Sequence, residues 1–192
     1  MNVISNSRNQ ENGSSAKGVA VAEKNPLQGK KILIVDDELD VLETLEELLS
    51  MCELVRASSF DQAKERMMSG SFDMVILDIM GVNGYGLLEI ASENNLVAVM
   101  LTAHALTIED TIKSYKKGAA FFVPKEKIVQ IESVLVDVLE AKKKGESHWY
   151  NWLDRMGDYY ESRFGPNWKE SHKDFWEALD KHEWRLASRL RD

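Results

Sequence analysis

Residues 32–38 read Ile32-Leu33-Ile34-Val35-Asp36-Asp37-Glu38, four apolar residues in a row and then three carboxylates. An apolar run without alternation suits a strand buried on both faces, as in a parallel sheet. The same grammar recurs downstream. Met74-Val75-Ile76-Leu77 is followed by Asp78, and Val97-Ala98-Val99-Met100-Leu101 by Thr102. Ala119-Ala120-Phe121-Phe122-Val123 is followed by Pro124 and Lys125, and a weaker run, Glu53-Leu54-Val55-Arg56, offers one more strand. Helical spacings lie between the runs: Leu39, Leu42, Leu45, Leu48 and Leu49; then Ala63, Met67 and Met68; then Leu87, Leu88 and Ala91; then Ile108, Ile112 and Tyr115. A fifth set runs Ile128, Ile131, Val134, Leu135, Val138 and Leu139. Five strand-then-helix units predict an α/β fold with a doubly wound parallel sheet, helices on both faces and right-handed crossovers.

Ligands of open α/β sheets bind beyond the carboxyl ends of the strands. Asp36, Asp37, Asp78, Thr102 and Lys125 follow the apolar runs, so they are expected to converge on one sheet edge. Taken singly, an Asp after a strand is more often a helix N-cap. The ordered set points to chemistry. Clustered carboxylates repel unless a cation neutralises them, and hard oxygen ligands select Mg²⁺. A carboxylate can accept a phosphoryl group as an acyl phosphate. A cation and the Lys125 ammonium can neutralise the charge spread over the phosphoryl oxygens, and the Thr102 hydroxyl can hydrogen-bond them.

The segment 32–38, Leu77-Asp78, Leu101-Thr102-Ala103 and Pro124-Lys125, in that order over about 115 residues, resemble the receiver domains of two-component response regulators. The resemblance implies a flavodoxin-like sheet of order 2-1-3-4-5. It implies that Asp78 accepts phosphate from a histidine kinase or phosphotransfer protein. Asp36, Asp37, Asp78 and the backbone carbonyl of Met80 are then the Mg²⁺ ligands, and no other cofactor is implied. Lys125 pairs with Asp78 or its phosphate. Thr102 and Phe122 take the switch positions. Two departures stand out. The acceptor is followed by Ile79-Met80-Gly81-Val82-Asn83-Gly84-Tyr85-Gly86 rather than a Met-Pro pair, and Lys125 is followed by Glu126 rather than proline. The glycines predict a more mobile loop beside the acceptor. His104, near the site entrance, is read as solvated or as tuning access.

The remainder of the chain is read as follows. Residues 1–28 are rich in Asn, Ser, Gly and Gln without periodicity and are expected to be a disordered leader. The receiver unit is expected over 29–144, closed by Lys142-Lys143-Lys144 and a Gly145 cap. Residues 145–192 hold all five tryptophans. Trp149, Trp152, Leu153, Met156, Tyr160 and Phe164 form one helical stripe, Gly165-Pro166 breaks it, and Asn167 with Glu170 has capping-box spacing for a second helix. That second stripe carries Trp168, His172, Phe175, Leu179, Leu186 and Leu190. A C-terminal α-helical hairpin is predicted, its apolar faces meeting each other or the receiver. Trp184 points off the stripe and is a candidate anchor for a partner.

The net charge of −8 disfavours phosphate backbones, and the tail carries ten acidic against eight basic residues, so nucleic acid is not the expected partner. One cysteine, Cys52, excludes an internal disulfide. No apolar run approaches membrane-spanning length and no signal-peptide pattern opens the chain, so a cytoplasmic protein is expected. The reading is a phosphorelay module whose phosphorylation switches protein–protein contacts with a downstream partner or a second copy, through the receiver face or the tail. It is not an enzyme apart from Mg²⁺-dependent self-phosphorylation and dephosphorylation. A transcription regulator with an atypical small output region and a non-phosphorylated receiver-like scaffold are the alternatives. An aspartyl-phosphate phosphatase is disfavoured because Asp78-Ile79-Met80 lacks a second Asp.

Overall fold

The computed structural model describes residues 25–103, 107–149 and 152–180. His104, Trp184, Leu186 and Leu190 lie outside them, as do residues 1–24 of the expected leader.

Five strands alternate with five helices: β1 Lys31–Val35, α1 Leu39–Leu48, β2 Glu53–Ala57, α2 Phe60–Ser69, β3 Met74–Asp78, α3 Gly84–Glu93, β4 Val97–Thr102, α4 Ile108–Lys116, β5 Phe121–Pro124 and α5 Ile131–Lys144. A 3₁₀ segment, Lys125–Gln130, joins β5 to α5. The sheet is parallel throughout, in the order β2-β1-β3-β4-β5. The apolar runs became strands because helices cover both faces: β3 is buried along its whole length, and β1 at every residue after Lys31. The second strand lies at an edge, and only its last residue, Ala57, is fully buried, which is why its apolar signal is weak. The fifth strand starts two residues later than its apolar run; Ala120 still donates its N–H to the Ala98 carbonyl at 2.7 Å. Gly145 ends α5 in the left-handed conformation, at φ 65°, after a last turn carrying Lys142, Lys143 and Lys144.

The C-terminal stripe forms α6, Trp152–Phe164, and a 3₁₀ turn, Glu170–His172, leads into α7, Lys173–Asp180. The expected Asn167 capping box does not form. The turn starts after Lys169 without a side-chain cap, because the Asn167 carbonyl, rather than its side chain, takes the Glu170 N–H. Trp149, Trp152, Met156, Tyr160, Trp168, Trp176 and Leu179 are buried in one core with the sheet residues. The tail therefore packs on the receiver rather than standing off from it. Among the described residues no helix is long and apolar enough to cross a membrane.

Candidate functional site

Strand register assembles the site. Val35 lies opposite Leu77, so Asp36 stands level with Asp78. Asp78 lies opposite Leu101, and Thr102 opposite Pro124, so Thr102 and Lys125 each follow one step beyond. Parallel strands all end at the same side of a sheet, and these four residues share that edge.

Asp36, Asp37 and Asp78 bring a carboxylate oxygen each to within 4.8 Å of one another. Asp36 and Asp78 are buried, whereas Asp37 is exposed. The Lys125 Nζ sits among them, 2.8 Å from Asp36 Oδ2 and 3.0 Å from Asp78 Oδ1. It also donates to Glu38 Oε1 at 2.8 Å. Glu38 escaped sequence reasoning as a partner, although it extends the carboxylate run; only the 87-residue return of the chain brings it to Lys125.

Neither Asp37 nor Asp78 serves as a helix cap. Glu38 occupies the N-cap of α1 and Asn83 that of α3, each without a side-chain cap bond. Asp36 Oδ1 does accept from the Glu38 N–H, at 3.0 Å, which fixes the turn out of β1. Apart from the Lys125 ammonium, Asp36 Oδ2 and Asp78 Oδ1 are buried without a hydrogen-bond partner among the described residues.

Burial dominates the electrostatics. It pushes the Asp78 carboxyl up to about 6; Lys125 opposes the shift, and the Asp36 and Asp37 charges add to it. Burial also raises Asp36, again against Lys125. Lys125 is raised, because its hydrogen bonds to Asp36, Glu38 and Asp78 outweigh its own desolvation. Glu38 is lowered by its hydrogen bond to Lys125. One ammonium thus faces several carboxylates, and the pocket is short of positive charge.

The loop after Asp78 is tighter than its glycines suggest. A Cβ on Gly84 would lie 1.9 Å from the Asp78 carbonyl oxygen, and Gly84 is buried. A Cβ on Gly81, at φ 52°, would lie 2.0 Å from Asp37 Oδ1. Gly81 thus permits close approach of the Asp37 carboxylate, and Gly84 of the Asp78 backbone carbonyl. Met80 exposes its side chain, and its carbonyl accepts from the Val82 N–H. Thr102 is buried at the same sheet edge; among the described residues its hydroxyl makes a 3.5 Å contact with the Ala103 carbonyl. Phe122 is fully buried, and its carbonyl accepts from Trp152 Nε1 at 3.0 Å. Among the described residues all peptide bonds are trans, those around Pro124 included.

The comparisons agree with this geometry. Residues 32–135 match the response regulator receiver domain family, and the chain belongs to that family. A probable transcriptional regulator ycf27 from Cyanophora paradoxa is 35% identical over 116 residues, 55% of this chain and 48% of that protein. The two-component response regulator ARR18 of Arabidopsis thaliana is 34% identical over 103 residues, 50% of this chain and 16% of that one. The chain thus spans about half the length, or less, of these curated relatives. Among solved structures, a CheY-like receiver domain protein from Methanospirillum hungatei JF-1 superposes with TM-score 0.52 at 21% identity, covering 60% of this chain and 98% of that one. A receiver domain protein from Clostridium thermocellum gives TM-score 0.52 at 26% identity, over 59% and 97% of the two chains.

Proposed function

We propose that this chain is a phosphorelay receiver in which Asp78 accepts a phosphoryl group from the phosphohistidine of a sensor kinase or phosphotransfer protein. The observation that carries this reading is the buried Asp78 carboxylate, 3.0 Å from an ammonium and grouped with two further carboxylates. In the transfer a carboxylate oxygen of Asp78 forms the new P–O bond. The P–N bond of the donor breaks, and the imidazole nitrogen keeps the electron pair. Lys125 neutralises charge on the phosphoryl oxygens, and the Thr102 hydroxyl, one step beyond the partner of Asp78 on the neighbouring strand, donates to them.

The donor set fits a hard divalent cation, since among the described residues two buried carboxylate oxygens have no partner but the Lys125 ammonium, and that one charge faces several carboxylates. Asp36, Asp37, Asp78 and the Met80 carbonyl would hold Mg²⁺, which supplies charge neutralisation for the transferred group. The pocket serves transfer to and from the protein itself and no other substrate. A charge change at Asp78 then biases Thr102 and Phe122, and with them the surface built from α4, β5 and α5, where a downstream protein or second copy would respond. A cytoplasmic setting follows from a kinase partner.

The test is intact mass after incubation with Mg²⁺ and acetyl phosphate, with Asp78→Asn as control. Gain of one phosphoryl group by the wild type alone supports the reading. No gain by folded wild type, even from a competent kinase, leaves the scaffold alternative.

A further inference from the structure

The 3₁₀ segment that carries Lys125 has no cap of its own: Pro124 precedes it without a side-chain bond, and i→i+3 turns hold weakly. Besides the Lys125 contacts with Asp36, Glu38 and Asp78, the tail restrains it on both sides of Lys125. Three residues before it, the Phe122 carbonyl accepts from Trp152 Nε1 at 3.0 Å. One residue after it, the Glu126 carboxylate accepts from the Tyr159 hydroxyl, and Arg163 Nη1 lies 3.9 Å from the same carboxylate. Two residues after it, Lys127 Nζ stands 5.3 Å from the centre of the Tyr159 ring. The gripping helix is itself fixed. Trp152 is fully buried against Trp149, Tyr160 and Trp176. Arg155 ties α6 to α5 through Asp137 at 2.6 Å and the Ser133 hydroxyl at 3.0 Å.

We propose that α6 is a positioning element of the phosphoryl site, with Trp152 and Tyr159 holding the segment that presents the Lys125 ammonium to Asp78. The proposal rests on the reading of Asp78 as the acceptor. Phosphoryl transfer is governed by placement and charge, so a small shift of that ammonium lowers the rate without removing any group that touches the phosphate. Coupling is reciprocal: a phosphoryl group that draws Lys125 toward it changes the grip of α6. All five tryptophans lie beyond residue 148, so tryptophan emission reports on the tail alone.

The experiment compares full-length wild type, Tyr159→Phe and Trp152→Phe with Mg²⁺ and acetyl phosphate, following phosphoryl gain and loss by intact mass. The expected result is a fall of about three- to tenfold in the maximal phosphorylation rate of each variant, with the half-saturating Mg²⁺ concentration within about twofold of wild type. Wild-type tryptophan emission changes on phosphorylation, and that of Asp78→Asn does not. Near-UV circular dichroism checks that the variants are folded, and Arg163→Met, at a partly exposed position, gives the same trend in smaller measure should either variant fail. Wild-type rates of gain and loss in folded variants overturn the inference. A wild type that takes up no phosphate from acetyl phosphate or a kinase overturns the acceptor reading instead, and this inference falls with it.

Discussion

The carboxyl edge of the sheet and the flank of β5 are a few residues apart in sequence and opposite in their physics. At the edge, buried carboxylates share the Lys125 ammonium, and two of their oxygens have no other partner among the described residues. On the flank, several buried polar atoms are matched: Trp149 Nε1 donates to the Ala119 carbonyl at 2.6 Å, Trp152 Nε1 donates to Phe122, and the Tyr160 hydroxyl meets Thr111, while Trp176 Nε1 and His148 Nε2 have no hydrogen-bond partner among the described residues. Aromatic rings fill the space between, Trp152 stacked on Trp176 at 5.7 Å and edge-on to Tyr160 at 4.8 Å. Each such ring buries roughly 150–250 Å², on the order of 4–6 kcal/mol of gross transfer free energy at about 25 cal/mol per Å². The open valences of the edge cost stability, and the flank offsets them. What sets the edge apart is crowded carboxylate charge around the Lys125 ammonium rather than unsatisfied atoms as such.

The largest expected effect tests the flank. Trp152→Ala removes a stacked ring, an edge contact and a hydrogen bond, and should cost about 3–5 kcal/mol in urea unfolding. A loss under 1 kcal/mol would mean that the tail is not part of the cooperative core.

The next tests the edge. The Asp78 carboxyl is raised when folded, so the folded state binds its proton more tightly than the unfolded state. The ionised form therefore costs stability, absent below the unfolded value near 3.8 and fully present above about 6. Without Mg²⁺, Asp78→Asn should then be more stable than wild type at pH 7 by roughly 2 kcal/mol, with the difference closing by pH 4. A destabilised Asp78→Asn at pH 7 would break the contrast between the two regions.

Tyr160→Phe is smaller. It leaves the buried Thr111 hydroxyl with only its 3.3 Å contact to the Thr107 carbonyl and should cost about 1 kcal/mol by thermal unfolding. The smallest effect concerns His148, between α5 and α6. Burial and the Lys142 charge lower it, so its protonation favours the unfolded state. Asp137, Glu140, Lys144 and Glu146 line the small cavity of about 40 Å³ beside it. Stability is complete above the unfolded value of 6.5 and declines as pH falls below it, a decline that should be absent in His148→Leu.

The parallel sheet and the convergence of Asp36, Asp78, Thr102 and Lys125 were legible because each apolar run ends on its polar residue, whereas the strand order came only from the receiver resemblance. Glu38, Trp152 and Tyr159 were not legible as partners of the Lys125 segment. Their contacts cross 87, 30 and 33 residues and depend on how a helix rotates as it docks. Periodicity identified Trp149, Trp152 and Tyr160 as an apolar face but could not say that their polar ends would meet Ala119, Phe122 and Thr111. The close packing at Gly84 was not legible for a related reason: composition reports freedom of φ, whereas the need for glycine at this position comes from the neighbouring Asp78 carbonyl.

The central claim is that Asp78 carries the phosphoryl group. Borohydride reduction of the acyl phosphate, followed by peptide mapping of protein treated with Mg²⁺ and acetyl phosphate, reads the position directly. The account expects homoserine at position 78 and nowhere else. Reduction at Asp36 or Asp37, or none at 78 in protein that has gained phosphate, would contradict it.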